Sequence, residues 1–118
     1  MKKFFDGFTF AFKGLKYTFK TQLNFRVHCF VALIITGLCF YLNLTAAEWL
    51  WIIAAIFLVL MAELANTAIE TLVDLASPEY NFKAGMVKDI AAGMVLIASL
   101  MALIVGILVL LPKIIHAP

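Results

Sequence analysis

The stretch IAAGMVLIASLMALIVGILVLL, residues Ile90 to Leu111, decides the fold of this chain because it contains no charged side chain. At about 1.5 Å per helical residue, it is long enough to cross the ~30 Å hydrocarbon core of a bilayer. A second stretch, Val27 to Ala47, also lacks Asp, Glu, Lys and Arg. Both stretches therefore predict membrane-spanning helices.

The composition of the whole chain agrees with this prediction. Of 118 residues, 65% are hydrophobic and only 14% are charged, and the mean hydropathy is +1.07. A chain this short cannot bury so much apolar surface by itself, so we expect contact with lipid and with further copies of the chain. The net charge of +2 is too small to favour a nucleic-acid partner.

A further apolar stretch, Trp49 to Ala62, lies between Glu48 and Glu63. It spans a membrane only if its helix continues into the polar positions that follow. In a helix, Glu63 would lie about 22 Å from Glu48. If Glu48 marks the outer boundary, Glu63 lies at or just inside the inner one. The expected spans are residues 27–46, 48–72 and 88–111.

The segment before the first span has a different pattern. At helical spacing, its lysines and other polar side chains share one face, and its phenylalanines share the other. This pattern is typical of a helix that lies in the membrane surface, here over about residues 3–24. The prediction is therefore a single all-α domain over residues 1–118, with an amphipathic surface helix and three transmembrane helices.

The distribution of cations predicts the orientation. All but one precede the first span or lie between the second and third: Lys2, Lys3, Lys13, Lys16, Lys20, Arg26, Lys83 and Lys88. Only Lys113 follows the third span. Because cytoplasmic segments are enriched in Lys and Arg, we expect the N-terminus and the second connection to be cytoplasmic.

Polar side chains follow the apolar part of the second span at helical spacing. We call Glu63, Asn66, Thr67, Glu70 and Asp74 the carboxylate stripe, because they fall on one side of a helix. Like charges at this spacing are destabilising, so a divalent cation or the nearby Lys83, Lys88 and Arg26 must compensate them. A solvated helix end with ion pairs to Lys83 and Lys88 remains an equal alternative.

The depth of the carboxylates separates their chemistry. Glu63 lies where a lipid hydroxyl would be, which suits a general base. Glu70 lies about 10 Å further toward the cytosol, which suits a metal ligand for a nucleotide. Lys88 and Asp89 precede the third span at the same interface, where a lysine could neutralise a transferred phosphoryl group. His28, one turn into the first span, is predicted to be packed or hydrogen-bonded rather than in contact with a lipid headgroup.

Several of these motifs resemble the prokaryotic diacylglycerol kinase family, which includes undecaprenol kinases. The resemblance covers nearly the whole chain, and its most specific part is Glu63-x-x-Asn66-Thr67-Ala68-Ile69-Glu70-x-x-x-Asp74. Other matching segments are Phe12-Lys13-Gly14-Leu15, Asn24-Phe25-Arg26, Glu79-Tyr80 and Lys88-Asp89.

The resemblance implies a lipid kinase of the bacterial cytoplasmic (inner) membrane, with its N-terminus and active site cytoplasmic. It implies ATP as co-substrate, Mg²⁺ as cofactor, a membrane lipid alcohol as acceptor, and a homotrimer whose subunits share sites. Glu63 would be the catalytic base, and Glu70 would bind the metal. The residues implied to hold the nucleotide are Asn66, Glu70, Glu79, Tyr80, Lys88 and Asp89. Arg26 and Asp74 would support the substrate or the structure.

The chain departs from the family pattern at two positions. Gln22 stands where members usually carry a second metal-binding glutamate, and Asn81 stands where His commonly follows Glu-Tyr. A Gln carbonyl can still ligate Mg²⁺, but it is neutral and should bind more weakly. We therefore expect an active enzyme with a raised Mg²⁺ requirement.

Other functions compete with this one. The chain could be a non-enzymatic channel or transport subunit, or an inactive homologue that acts as a scaffold. A channel would favour acidic residues near the membrane midplane, whereas here they gather at one end. Between lipid substrates, Leu111-Pro112-Lys113 and Asn66-Thr67-Ala68 are more similar to undecaprenol kinases than to diacylglycerol kinases of enteric type.

Overall fold

The computed structural model describes residues 1–116, in which the chain forms four α-helices. They are α1 (Lys2–Thr21), α2 (Leu23–Leu42), α3 (Ala46–Ala76) and α4 (Phe82–Ile115). Among these residues, three helices, α2, α3 and α4, are long and apolar enough to cross a membrane. The predicted all-α architecture, an amphipathic helix followed by three apolar ones, is confirmed.

Helix α1 is amphipathic and largely exposed, and its one buried residue is Thr18. It ends at Thr21 and not near residue 24, because Gln22 is extended (φ −115°, ψ 110°). In a continuous helix, the carbonyls of Phe19 and Lys20 would accept hydrogen bonds from the N–H groups four residues later. Here Arg26 Nη1 donates to both carbonyl oxygens, at 2.7 Å and 2.9 Å.

The turn between α2 and α3 ends helix α2 at Leu42, four residues before the end of the expected span at residue 46. Asn43 adopts a left-handed conformation (φ 53°) that ends α2. Thr45 then caps α3: its Oγ1 accepts from the Glu48 N–H at 3.2 Å, and its own N–H donates to Glu48 Oε1 at 2.9 Å. Lys113 Nζ contacts Glu48 Oε1 at 2.9 Å and donates to the Asn43 carbonyl at 3.2 Å. We call these contacts the far-end clamp.

Helices α3 and α4 continue past the apolar segments and beyond the expected spans at both ends. Helix α3 has 31 residues and α4 has 34, against the expected ranges 48–72 and 88–111. At about 1.5 Å per residue, both exceed the ~30 Å hydrocarbon core. Asn81 begins α4, since its Oδ1 accepts from the Ala84 N–H at 2.9 Å and its Nδ2 donates to Ser77 Oγ at 2.7 Å.

The most extensive helix contact is between α3 and α4. Its core consists of small and aliphatic side chains, including Val59 and Ala62 of α3 and Ala98 of α4. Small side chains allow helices in a membrane to approach closely. This packing fixes the polar part of α3 beside the first turns of α4, and we call this region of the chain the site end.

Candidate active site at the site end

The carboxylate stripe is held together by bonds along α3. Asn66 Nδ2 donates to Glu70 Oε1 at 3.2 Å, and Thr67 Oγ1 donates to the Glu63 carbonyl at 2.9 Å. Both bonds join residues four apart, which face the same side of a helix. The helix therefore fixes the relative positions of Glu63, Asn66 and Glu70.

Glu63 is the most enclosed charged residue of the stripe, with only 2% of its surface exposed. Its Oε1 lies 3.3 Å from His28 Nε2, which projects from α2. A carboxylate removed from water needs a partner, and here an imidazole supplies it. The expected partners of the stripe were a metal, Lys83, Lys88 and Arg26, so the sequence analysis missed this pair. Two ionisable residues at similar depth in successive spans were the signal that could have found it.

Asn66 has an acceptor without a donor. Asn66 is 9% exposed, and its Oδ1 atom is buried without a hydrogen-bond partner. Buried polar atoms are nearly always satisfied, and leaving one unpaired costs about 1–3 kcal/mol. An unpaired oxygen one turn from the buried Glu63, on a residue bonded to Glu70, is suited to a ligand that brings a cation or a donor.

This oxygen bears on the Mg²⁺ that the family implies. Amide and carboxylate oxygens, as in Asn66 and Glu70, are ligands that Mg²⁺ accepts. Within residues 1–116, no group of three or more His, Cys, Asp or Glu side chains is placed to hold a metal ion. Mg²⁺ is commonly bound through one or two carboxylates with phosphate and water oxygens completing the set, so the residues present fit a metal that arrives with a nucleotide.

Lys88 joins α4 to the outer end of the stripe. Its Nζ forms an ion pair with Asp74 Oδ1, and both side chains remain accessible to water. The alternative of ion pairs at a solvated helix end is thus correct for Asp74, whereas Glu63 is buried against His28. Asp89, the next residue, is exposed.

Glu79 and Tyr80 lie in the turn between α3 and α4, and both are exposed. The Tyr80 ring packs over the first turn of α4, where a methyl group on Gly85 would come within 3.2 Å of Tyr80 Cε2. The turn is stabilised by Ser77 Oγ, which donates to the Glu79 carbonyl at 3.1 Å. Tyr80 is therefore held at the start of α4 with its ring open to solvent.

Gln22 and Arg26 lie at the junction of α1 and α2. Arg26 caps the end of α1, as described above, so its role in this structure is to hold the surface helix. Gln22 is half-buried, and its Nε2 lies 3.5 Å from Thr21 Oγ1. The predicted site residues thus form two groups, one on α3 and α4 and one at this junction.

The sequence is similar to known membrane kinases over most of its length. A family model for prokaryotic diacylglycerol kinase matches residues 9–110. A diacylglycerol kinase of Synechocystis sp. is 40% identical over 107 residues, which are 90% of this chain and 61% of that protein. An undecaprenol kinase of Bacillus subtilis is 35% identical over 113 residues, 96% of this chain and 92% of the relative.

A diacylglycerol kinase of Haemophilus influenzae is 38% identical over 89 residues, which are 75% of each chain. The residues that the family model matches include all of α2 and α3 and every residue of the carboxylate stripe. Since the family model covers well over half of the sequence and relatives match it nearly end to end, the chain belongs to the prokaryotic diacylglycerol kinase family of membrane lipid kinases.

Proposed function

We propose that this protein transfers the γ-phosphoryl group of ATP to the hydroxyl of a membrane lipid alcohol, giving a lipid phosphate and ADP. The observation that carries the proposal is the buried Glu63 carboxylate, paired with His28 and one turn from the unpaired Asn66 oxygen. On α3, no charged residue lies between Glu48 and Glu63, so the stripe begins at one depth and does not line a path across the bilayer.

Glu63 acts as the general base. Its carboxylate takes the proton of the lipid hydroxyl as the hydroxyl oxygen bonds to the γ-phosphorus, and ADP leaves with the electrons of the broken phosphoanhydride bond. Because Glu63 is buried, its carboxylate can contact the lipid hydroxyl directly, without an intervening water shell. Positioning and charge neutralisation supply most of the remaining rate enhancement of phosphoryl transfer.

The nucleotide binds along the outer part of the stripe. Asn66 and Glu70 would hold Mg²⁺, with Gln22 as a weaker neutral ligand. The metal, when bound, neutralises phosphate charge and orients the γ-phosphoryl group. Lys88 holds the phosphates from α4 and Asp89 helps to hold the nucleotide, while Glu79 and the exposed Tyr80 border it. Asp74 positions Lys88, and Arg26 fixes α1 beside the site.

The site end faces the cytoplasm of a bacterial inner membrane. The ion pair of Lys88 with Asp74 and the pair of His28 with Glu63 bring the start of α2, the stripe and the start of α4 to one end. Nearly all cations of the chain lie on segments that meet there, and the far-end clamp holds Lys113. The positive-inside rule then assigns the site end to the side where ATP is available.

The functional unit is a homotrimer with sites shared between subunits. In the single chain, the spanning helices are mostly exposed, and at most 33% of the apolar segment of any one of them is buried. A neighbouring subunit supplies the residues of the α1–α2 junction that complete the site around Glu70 and Lys88. Self-association also covers apolar helix surface that would otherwise face lipid alone.

Undecaprenol is the preferred acceptor over diacylglycerol. The relative named undecaprenol kinase matches nearly all of this chain and 92% of its own length, whereas the more identical diacylglycerol kinase is matched over 61% of its own. The Leu111-Pro112-Lys113 tail and the Asn66-Thr67-Ala68 sequence support the same choice. Both alcohols present a hydroxyl at the membrane surface, so the preference is a ratio of rates.

The test is ADP formation by the purified chain in vesicles that contain undecaprenol, diacylglycerol or neither. We expect ATP consumption to require the alcohol and to be faster with undecaprenol. Glu63→Gln should lower turnover by about 10²- to 10⁴-fold, the usual contribution of a general base, with oligomer assembly unchanged. Glu48→Gln, the matched change at the opposite end of α3, should retain turnover. An active Glu63→Gln variant contradicts the assigned base, and alcohol-independent ATP consumption contradicts the kinase.

A further inference from the structure

The imidazole of His28 and the carboxylate of Glu63 come from different helices and meet inside the bundle. The distance from Nε2 to Oε1 is 3.3 Å, and the two side chains are 28% and 3% exposed. His28 also lines an apolar cleft of about 560 Å³ between α2, α3 and α4, whose only other polar lining residue, among those described, is Ser99. The imidazole therefore lies between this cleft and the carboxylate.

We propose that His28 is a positioning residue for Glu63: its Nε2, 3.3 Å from Oε1, donates a hydrogen bond to that oxygen in the reacting complex and so directs Oε2 to the substrate hydroxyl. This inference rests on the proposed function, in which Glu63 is the base. A carboxylate has two equivalent oxygens and a rotatable terminal bond, so a donor fixed on one oxygen determines the direction of the other. The imidazole is also the polar partner of this buried carboxylate in the structure.

The backbone on both sides makes this geometry stiff. Glu63 lies in the interior of α3, and the hydroxyl of Thr67 bonds to the Glu63 carbonyl at 2.9 Å. His28 lies in α2, two residues after Arg26, whose guanidinium is bonded to α1. Both partners thus stand on helices that are anchored close to the pair. Groups fixed on regular helices hold a catalytic side chain better than groups on loops.

The chemistry of the pair predicts which substitutions preserve it. The amide nitrogen of glutamine lies about as far from Cα as Nε2 of histidine. The amide nitrogen of asparagine lies closer to Cα and corresponds to Nδ1. His28→Gln keeps a donor within reach of Oε1. His28→Asn keeps the polarity of the site but withdraws the donor, and His28→Leu removes it. The first two variants differ by one methylene group, so they separate positioning from general polarity.

The experiment measures kcat, the KM for ATP and the KM for undecaprenol in vesicles, together with thermal unfolding of each variant. We expect His28→Gln to retain kcat within a few-fold, and His28→Asn and His28→Leu to lose roughly 10- to 100-fold, as misplaced catalytic groups do. The KM for ATP should stay unchanged in all three. Cys29→Ala, which alters the next residue of α2, should behave like the unchanged protein.

Each outcome decides between positioning and packing. If His28→Asn matches His28→Gln in kcat, or if unfolding temperature falls while kcat per folded protein is kept, the imidazole is only a packing residue. Should His28→Leu fail to fold, the comparison of the two amides still gives the answer. If the unchanged protein shows no alcohol-dependent turnover, the proposed function itself fails. If it turns over but all His28 variants match it, only the positioning role fails.

Discussion

The unpaired oxygen of Asn66 allows a prediction about stability as well as function. Replacing Asn66 with Leu, which has nearly the same shape, removes a buried acceptor that lacks a donor in residues 1–116. That should stabilise the ligand-free protein by about 1–3 kcal/mol. It also removes the 3.2 Å bond from Nδ2 to Glu70. This loss costs about 1 kcal/mol, because Glu70 keeps access to water.

The net change in the unfolding free energy of the ligand-free protein is therefore from about 0 to +2 kcal/mol, although a buried polar residue has been deleted. Nucleotide binding should respond in the opposite way. For the unchanged protein, Mg²⁺ with a non-hydrolysable ATP analogue at roughly 100 times its Kd should add ~2.7 kcal/mol of stability. In the Asn66→Leu protein most of that gain should disappear.

The assay is thermal unfolding of detergent-solubilised protein with and without the magnesium analogue. Thr36→Val is the matched control, since the Thr36 hydroxyl is already bonded to the Ala32 carbonyl at 2.7 Å. This control should be slightly destabilised and should keep the full nucleotide shift. The reasoning is refuted if ligand-free Asn66→Leu is measurably less stable than the unchanged protein, or if it keeps the nucleotide shift.

Three further changes test other parts of the structure. Gln22→Glu should lower the Mg²⁺ concentration for half-maximal activity, because an anionic ligand replaces a neutral one; an unchanged metal dependence would contradict the metal role of Gln22. Lys113→Met should lower the unfolding temperature by a few degrees with turnover per folded protein unchanged, because it opens the far-end clamp while leaving the site intact. Lost turnover at full stability would show instead that the clamp belongs to the active site. Asn81→Ala should cost about 1 kcal/mol by removing the cap of α4, while Asn81→Asp should retain the cap, as unfolding measurements would show.

The helices could be predicted from the sequence because a span needs a long apolar run and a surface helix needs two unlike faces. Their ends were less predictable. Two hydrogen bonds from Arg26 satisfy carbonyls at the end of α1, and the break falls at Gln22, a residue with good helix propensity, so no local signal marks that boundary. The start of α3 does have a local signal, since Thr45 and Glu48 have the spacing of a capping box and would predict a helix beginning at residue 46.

The candidate site was predictable only in part, because some of its contacts lie within one helix and others join two helices. Helical spacing alone brings Asn66 and Glu70 together, and the structure has that contact. The contact of His28 with Glu63 depends on how far α2 slides along α3, and periodicity gives the face of a helix but not its register against a neighbour. Asn81, which departs from the family pattern, has a clear structural role as the cap of α4.

The far-end clamp has a mechanical consequence. Lys113 connects α4 to the turn that joins α2 and α3, so the three helices are held together at the end opposite the carboxylate stripe. A rotation of one helix by a few degrees about the clamp would displace its other end by about 2–3 Å over ~30 Å of helix. The clamp therefore sets the lateral spacing of the three helices at one end only, and their separation beside Glu63 depends on contacts made there, such as the pair of His28 with Glu63.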